Sequence, residues 1–254
     1  MRQGRLDCQA IANRHVPATL FITVTMSCNA EEFGRPNLDI QHLSSYAPES
    51  NKFRPYDRPD VAARVLNQRL NEIQHRLLTR GPEYFNGYES IGLASRVEYQ
   101  ERDMPHAHIV LWLNCGDLTD PAEIDAIISA EMHRHESEAT QQLVRRIMSH
   151  RHSPSCRRGR DEGTCRFGYD SNEVVPQNYI NSTTHRAVHR KRETQDLRIV
   201  PHNLRLLKEF KMHINVERGG SAETIGYIWK YVFKVPRPAV IRLEERQDQH
   251  HPGV

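Results

Sequence analysis

Two histidines separated by one residue, His106 and His108, are the first side chains whose types and spacing point to chemistry. An apolar, β-prone run from Ile109 to Leu113 follows them. On an extended strand, residues i and i+2 lie on the same face. Two adjacent imidazoles suit a divalent metal ion better than a hydrophobic core. The spacing alone also leaves open a pair of strand histidines on a solvated face.

Two tyrosines near the other end of the chain, Tyr227 and Tyr231, form the second candidate group. Residues 221–234 are predicted to form a helix, with Ser221 as its N-cap. Positions i and i+4 place the two phenols one turn apart on one face, with Lys230 alongside. Taken alone, they are equally compatible with ordinary half-buried aromatic residues.

These two groups together suggest attack on a phosphodiester. A phenol titrates near ~10 and is a weak nucleophile unless its charge is stabilised. A metal ion held by His106 and His108 would polarise a phosphate oxygen, and the ammonium of Lys230 would favour the phenolate or bind phosphate. The attack would leave a DNA strand end covalently attached to Tyr227 or Tyr231.

H-x-H followed by Y-x-x-x-Y, in that order, resembles the HUH endonucleases of the rolling-circle replication initiator type. Finer phrases resemble the N-terminal (helicase-like) domain of Helitron transposases, over residues 8 to 234. The matching phrases are LFITVTMSCN (20–29), DRPDVAAR (57–64), VEYQ (97–100), MPHAHIVLW (104–112), IISAE (127–131), CRFG (165–168), HINVE (213–217) and the tyrosine segment.

The resemblance implies an α+β fold in which a central antiparallel sheet with flanking helices carries the HUH strand, and the tyrosine helix packs beside that strand. It implies metal-dependent nicking and rejoining of single-stranded DNA through a 5′-phosphotyrosine, in rolling-circle-type transposition. Mg²⁺ or Mn²⁺ is the expected ion. The alternatives are an inactive DNA-binding remnant, a plasmid or viral replication initiator, and a zinc-binding protein with no nuclease role.

The resemblance to HUH endonucleases also implies a third polar metal ligand, and the strand that precedes the histidines offers two candidates. A turn at 101–104 would pair that strand with the histidine strand and bring Glu98 and Gln100 toward His106 and His108. Gln100 is the first choice because it lies nearer the turn, and Glu98 is the charged alternative.

A separate cluster of metal-ligand types follows, with the spacing His150-x-His152-x3-Cys156-x8-Cys165. Two histidines and two cysteines fit a four-coordinate structural zinc by ligand type. The alternative is a loop with reduced cysteines and solvated histidines. Helitron sequences carry a similar His/Cys phrase, but here Phe167-Gly168 stands where the family tends to place Phe-Pro.

The basic residues are concentrated, although the net charge is only +3. Between Arg145 and Arg192 there are eleven Lys/Arg and four Asp/Glu, which predicts a track for a phosphate backbone. The alternative is a solvated arginine-rich loop. The candidate DNA-binding residues are Arg157, Arg158, Arg160, Arg190, Lys191, Arg192 and Lys234.

The elements that must position these groups follow from periodicity. Strands are predicted over 20–26, 91–100, from 106 onward and over 211–217. A helix is predicted from Asp57 or Asp60 to about Arg80, and a helical region over 120–148, with solvated His133 and His135 in a polar break. Residues 171–200 read as a polar loop. In the last strand, His213 and Asn215 are interpreted as structural or DNA-facing.

The 254 residues are divided into a lead-in (1–16), one endonuclease domain (17–238) and a charged tail (239–254). On the family resemblance, the lead-in is interpreted as truncated.

No apolar run approaches a membrane span or a signal core, and five scattered cysteines argue against a disulfide framework. We expect a nuclear protein if the host is a eukaryote, otherwise a cytoplasmic one, and no secretion or membrane partner. No G-x-x-x-x-G-K-[ST] phrase occurs, so a helicase domain or protein outside this chain is the expected partner of the nuclease.

Overall fold

A computed structural model describes residues 18–25, 59–98, 106–153, 156–157 and 164–219. The lead-in 1–16, the tail 239–254 and the tyrosine segment 221–234 lie outside these ranges. The architecture is α+β, as the sequence predicts. Among the described residues, no helix is both long and apolar enough to cross a membrane.

A four-stranded antiparallel sheet forms the centre of the fold. Its strands are β1 (Leu20–Thr25), β2 (Ser90–Glu98), β3 (His106–Leu113) and β6 (His213–Arg218). Their order across the sheet is β2-β3-β1-β6. The four strand predictions are confirmed, with ends that differ by a few residues. Strand β1 lies between β3 and β6, so residues far apart in sequence share one surface.

One face of the sheet carries the hydrophobic core. Alternate residues of β1, Leu20, Ile22 and Val24, are fully buried there, because side chains along a strand point to opposite faces in turn. Helix α1 (Pro59–Thr79) covers this face with an apolar stripe of Leu70, Ile73 and Leu77, among others. This helix is confirmed close to its predicted bounds.

The turn between α1 and β2 contains the short helix α2 (Gly81–Tyr84). A Cβ atom added at Gly81 would lie 2.7 Å from Ser90 Oγ and 2.9 Å from Ser90 N. Only glycine therefore allows this helix to approach the start of β2 so closely.

The helical region predicted over 120–148 is divided into two helices, α3 (Pro121–Ile127) and α4 (Glu138–Ile147). Between them the backbone of Ser129 exchanges two 2.8 Å hydrogen bonds with that of His202. This bridge satisfies backbone groups that a continuous helix would have used. The expectation that His133 is solvated is wrong, since its ring is half-buried against His202.

The predicted polar loop over 171–200 contains a β4–β5 hairpin (Tyr179–Ile180 and Ala187–Val188) and a 3₁₀ turn (Thr194–Asp196). Another 3₁₀ turn (Tyr169–Ser171) lies at its start, and helix α5 (Leu204–Phe210) and β6 follow it. Helices α4 and α5 contribute to a second hydrophobic cluster, formed by Met132, Val144, Met148, Ile199, Val200 and Leu207.

Candidate functional site

The face of the sheet opposite α1 carries two rows of mostly polar side chains, which we call the polar face. The rows are Glu98, His106, Thr25 and His213, and next to it Arg96, His108, Thr23 and Asn215. Each row runs across all four strands, because paired residues of adjacent strands point to the same side. His106 and His108 therefore share one face, as their spacing predicts.

Each of the two imidazole rings contacts a threonine hydroxyl through its Nδ1 atom. His106 Nδ1 lies 2.9 Å from Thr25 Oγ1, and His108 Nδ1 lies 3.2 Å from Thr23 Oγ1. His108 also stacks on Phe21, with ring centroids 5.6 Å apart and an interplanar angle of 10°. A metal-binding imidazole is commonly oriented by a hydrogen bond to its other nitrogen, and the two threonines are placed for this role.

A carboxylate lies beside the second histidine. Glu98 Oε2 is 3.5 Å from His108 Nε2, and the two side chains are 13% and 11% exposed. The hairpin pairing of β2 with β3, expected from the sequence, produces this contact. Gln100, the other candidate third ligand, lies outside the described residues.

Strand β6 adds His213 and Asn215 to the polar face, although sequence reasoning did not include them in the metal site. Within the described structure, His213 Nδ1 and Asn215 Oδ1 are buried and have no hydrogen-bond partner. Burial and, to a smaller extent, the nearby His106 together lower the pKa of His213 to about 4. His213 and Asn215 have the same i, i+2 spacing as His106 and His108. The sequence shows this spacing, but only the pairing of β6 with β1 shows that they lie on the polar face.

The remaining predicted catalytic residues belong to the tyrosine segment 221–234. Tyr227, Lys230 and Tyr231 lie outside the described residues, as do Arg158, Arg160 and Lys234 among the predicted DNA-binding residues. The proximity of the tyrosines to the histidines stays a prediction.

Basic residues near β5 make contacts inside the fold. Arg190 forms ion pairs with Asp125 at 2.7 Å and Glu131 at 2.9 Å. Lys191 is 8% exposed, and its ammonium donates to two backbone carbonyls. Burial lowers the pKa of Lys191 to about 8. Arg192 pairs with Glu131 at 3.3 Å with half of its side chain exposed. Binding of DNA by these residues and by Arg157, which is half-buried, stays a prediction.

The predicted His/Cys cluster is brought together by the fold. The ligand atoms of His150, His152, Cys156 and Cys165 all lie within 4.8 Å of one another. Among the described ranges, this is the group of His, Cys, Asp or Glu side chains, with three or more members, whose ligand atoms lie close enough together to hold a metal ion. Within the same ranges, Glu98, His106 and His108 do not form such a group, so the polar face needs a further donor or a movement of its side chains to surround a metal.

Comparison with known protein families relates the first part of the chain to one of them. Residues 1–111 match the family model of the Helitron helicase-like domain at the N-terminus. Over these residues the chain is Helitron-like. The matched range includes β1, α1, β2 and both histidines of β3. No curated protein matches the chain.

The Helitron match confirms the resemblance drawn from the sequence phrases over the first 111 residues. It relates the chain to Helitron transposases and includes the H-x-H pair with the Glu98 strand. The His/Cys group, β6 and the tyrosine segment all lie beyond the matched range.

Proposed function

We propose that this protein is a metal-dependent endonuclease and strand transferase for single-stranded DNA. It nicks and rejoins strands through a 5′-phosphotyrosine, in rolling-circle-type transposition. The single observation that carries this proposal is the position of His106 and His108 beside Glu98, on one sheet face of a Helitron-like segment.

The polar face fits a hard or borderline divalent cation by its donor types. Imidazole nitrogen and carboxylate oxygen are donors that Mn²⁺ accepts readily, and Mg²⁺ prefers the oxygen. A bound ion would stabilise negative charge on the scissile phosphate. His106, His108 and either Glu98 or Gln100 would hold it. Zn²⁺ would occupy the separate His/Cys group and take no part in cleavage.

The cleavage step transfers the phosphodiester from DNA to protein. The phenolic oxygen of Tyr227 or Tyr231 attacks phosphorus, and the bond from phosphorus to the 3′ oxygen breaks. The phenol loses its proton, and the 3′ oxygen takes one up to leave as a hydroxyl. Lys230, three positions after Tyr227 and next to Tyr231 in the sequence, would stabilise the phenolate.

Rejoining is the reverse reaction, in which a 3′-hydroxyl attacks the phosphotyrosine and releases the phenol. Two tyrosines allow two successive transfers within one site. Transposition of this type also needs strand separation, so a helicase domain or protein is the proposed partner of the nuclease, alongside single-stranded DNA.

The test is covalent capture of DNA on the full chain. A random-sequence single-stranded oligonucleotide is labelled at its 3′ end in one reaction and at its 5′ end in another, with Mn²⁺ present. A 5′-phosphotyrosine retains the DNA on the 3′ side of the cut. We therefore expect labelled protein on denaturing gels with the 3′ label and a shortened free strand with the 5′ label.

Matched variants identify the residues responsible. Tyr227→Phe combined with Tyr231→Phe abolishes the adduct, while Tyr179→Phe, on an exposed tyrosine, leaves it unchanged. His106→Ala abolishes it, and His75→Ala, at an exposed helix position, does not. DNA binding without any adduct, or an adduct that survives the double tyrosine substitution, overturns the proposal.

A further inference from the structure

Two ligand-to-ligand distances in the His/Cys group match those of a tetrahedral zinc site, and all four ligand atoms lie within 4.8 Å of one another. Zinc bonds of ~2.3 Å to sulfur and ~2.0–2.1 Å to nitrogen imply a sulfur–nitrogen separation of about 3.6 Å at the tetrahedral angle. Cys156 Sγ lies 3.6 Å from His152 Nδ1, and Cys165 Sγ lies 3.4 Å from His150 Nε2. Both cysteines are free thiols and are buried.

The backbone near the group contacts one sulfur atom and closes a turn after the other cysteine. Ser153 N donates to Cys156 Sγ at 3.3 Å. Gly168 N donates to Cys165 O at 2.9 Å, and the positive φ of 78° at Gly168 closes this turn. Glycine adopts that conformation without the cost borne by other residues, which accounts for Gly168 in a turn at the group.

Asp170 connects two of the four ligands. Its Oδ1 lies 3.0 Å from His152 Nε2, a close contact that falls outside hydrogen-bond geometry. Its Oδ2 accepts a hydrogen bond from the backbone N–H of Cys165 at 2.5 Å. A carboxylate on the far nitrogen of a ligating imidazole fixes the ring and increases its basicity. With Nε2 facing Asp170, Nδ1 of His152 is left toward Cys156.

The group is also attached to the rest of the domain. The ring of His150 stacks on Tyr169, with centroids 4.3 Å apart and an interplanar angle of 11°. Tyr169 packs against the second hydrophobic cluster, and His150 N donates to Arg198 O at 2.8 Å. A metal at the group would thus join the arginine-rich segment to this cluster.

We infer that His150, His152, Cys156 and Cys165 bind one structural Zn²⁺, with Asp170 as the carboxylate that positions His152. His152 coordinates through Nδ1 and His150 through Nε2. The metal fastens the basic segment to the domain and takes no part in phosphodiester chemistry. This inference does not depend on the proposed nicking activity, because its test measures metal binding.

The first experiment measures metal content of the reduced, full-length protein. We expect one zinc per chain by mass spectrometry. In the Co²⁺-substituted protein, we expect an absorption spectrum with sulfur-to-cobalt charge-transfer bands and with the d–d bands of a tetrahedral site. Cys156→Ser combined with Cys165→Ser removes both signals, while His106→Ala on the polar face retains them. Absence of zinc from the wild-type protein, a Cys156–Cys165 disulfide in its place, or zinc retained by the double variant overturns the site.

The second experiment tests Asp170 by competition of zinc with a chromogenic chelator. Asp170→Asn is expected to weaken zinc affinity about 10–100-fold while the cobalt spectrum stays tetrahedral with two sulfurs. Glu173→Gln, at an exposed carboxylate three residues away, keeps wild-type affinity. Wild-type affinity in Asp170→Asn overturns the positioning role of Asp170. If Asp170→Asn does not fold, the Asp170→Glu variant, which retains the carboxylate, must recover affinity for the role to stand.

Discussion

At the scale of single residues, the polar face shows how one strand pairing creates a candidate metal site. His108 touches a threonine with one ring nitrogen and lies near Glu98 with the other. An imidazole between a hydroxyl and a carboxylate has a restricted orientation, and pre-orientation of ligands is what a metal site requires. The choice between Glu98 and Gln100 as third ligand is therefore testable at this scale.

Glu98→Gln is expected to weaken Mn²⁺ binding about 10–100-fold, because a neutral amide is a poorer ligand or ligand partner than a carboxylate. Calorimetric titration with Mn²⁺ measures this change. Glu89→Gln, at an exposed carboxylate just before β2, serves as the matched control and should bind normally. Unchanged affinity in Glu98→Gln together with a loss in Gln100→Ala would assign the role to Gln100.

At the scale of elements, one buried side chain connects three segments. Asn203 caps helix α5 by accepting a hydrogen bond from Leu206 N at 3.0 Å. Its amide nitrogen donates to Tyr84 O at 2.9 Å and Ile127 O at 2.8 Å, at the ends of α2 and α3. The segment that leads into β6 is thereby held at a fixed position relative to the other helices.

Asn203→Ala is expected to lower the free energy of unfolding by about 2–4 kcal/mol, since it removes a cap and leaves two buried carbonyls without their donor. Urea denaturation followed by circular dichroism measures this loss. Asn71→Ala, at an exposed position of α1, should change stability by less than about 0.5 kcal/mol. A comparable effect of the two substitutions would contradict the role of Asn203 as a connecting residue.

At the scale of the whole molecule, a fully buried histidine connects stability to pH. The ring of His202 lies 2.8 Å from Val200 O through Nδ1 and 3.0 Å from His133 Nε2 through its own Nε2. Burial and, to a smaller extent, the neighbouring His133, His213 and Lys191 together lower the pKa of His202 to about 3. At pH values between about 3 and about 6.5, the ring is therefore neutral in the folded state and protonated in the unfolded chain.

The sign of the effect follows from proton linkage. Between about pH 6.5, the unfolded pKa of histidine, and about 3, the unfolded state binds a proton that the folded state does not. The stabilisation is complete above about pH 6.5 and declines as pH falls, by up to about 1.4 kcal/mol per pH unit. Urea titrations at pH 7.5, 6.0 and 5.0 measure this slope.

His202→Gln should reduce that slope, because glutamine does not titrate, although its stability at pH 7.5 will also be lower. His135→Gln, at an exposed position, should retain the wild-type slope. An unchanged slope in His202→Gln would show that other groups account for the acid sensitivity.

Much of the local structure was predictable because it depends on short-range periodicity. Helix α1 followed from an apolar stripe at helical spacing, and the β2–β3 hairpin followed from two β-prone runs around a turn. The same pattern predicted that Glu98 would face the histidines. His150, His152, Cys156 and Cys165 were recognisable because metal-ligand side chains are rare in close succession.

Long-range placement was not predictable in the same way. His133 was expected in solvent, but its ring is packed on His202, which lies 69 positions away in sequence. Lys191 was expected on a DNA-binding surface, and the structure buries its ammonium against backbone carbonyls. Sequence spacing carries no information about which distant segment will cover a side chain.

By itself, the sequence determined the chemical types of both metal-ligand groups, the i, i+2 alignment of the two histidines and the Helitron relationship of the first 111 residues. These depend on residue identity and local geometry. Only the tertiary structure decided that β6 pairs with β1 and adds His213 and Asn215 to the polar face, and that Asp170 reaches His152. Those contacts depend on which hydrophobic surfaces pack together, and that choice is made by the whole chain.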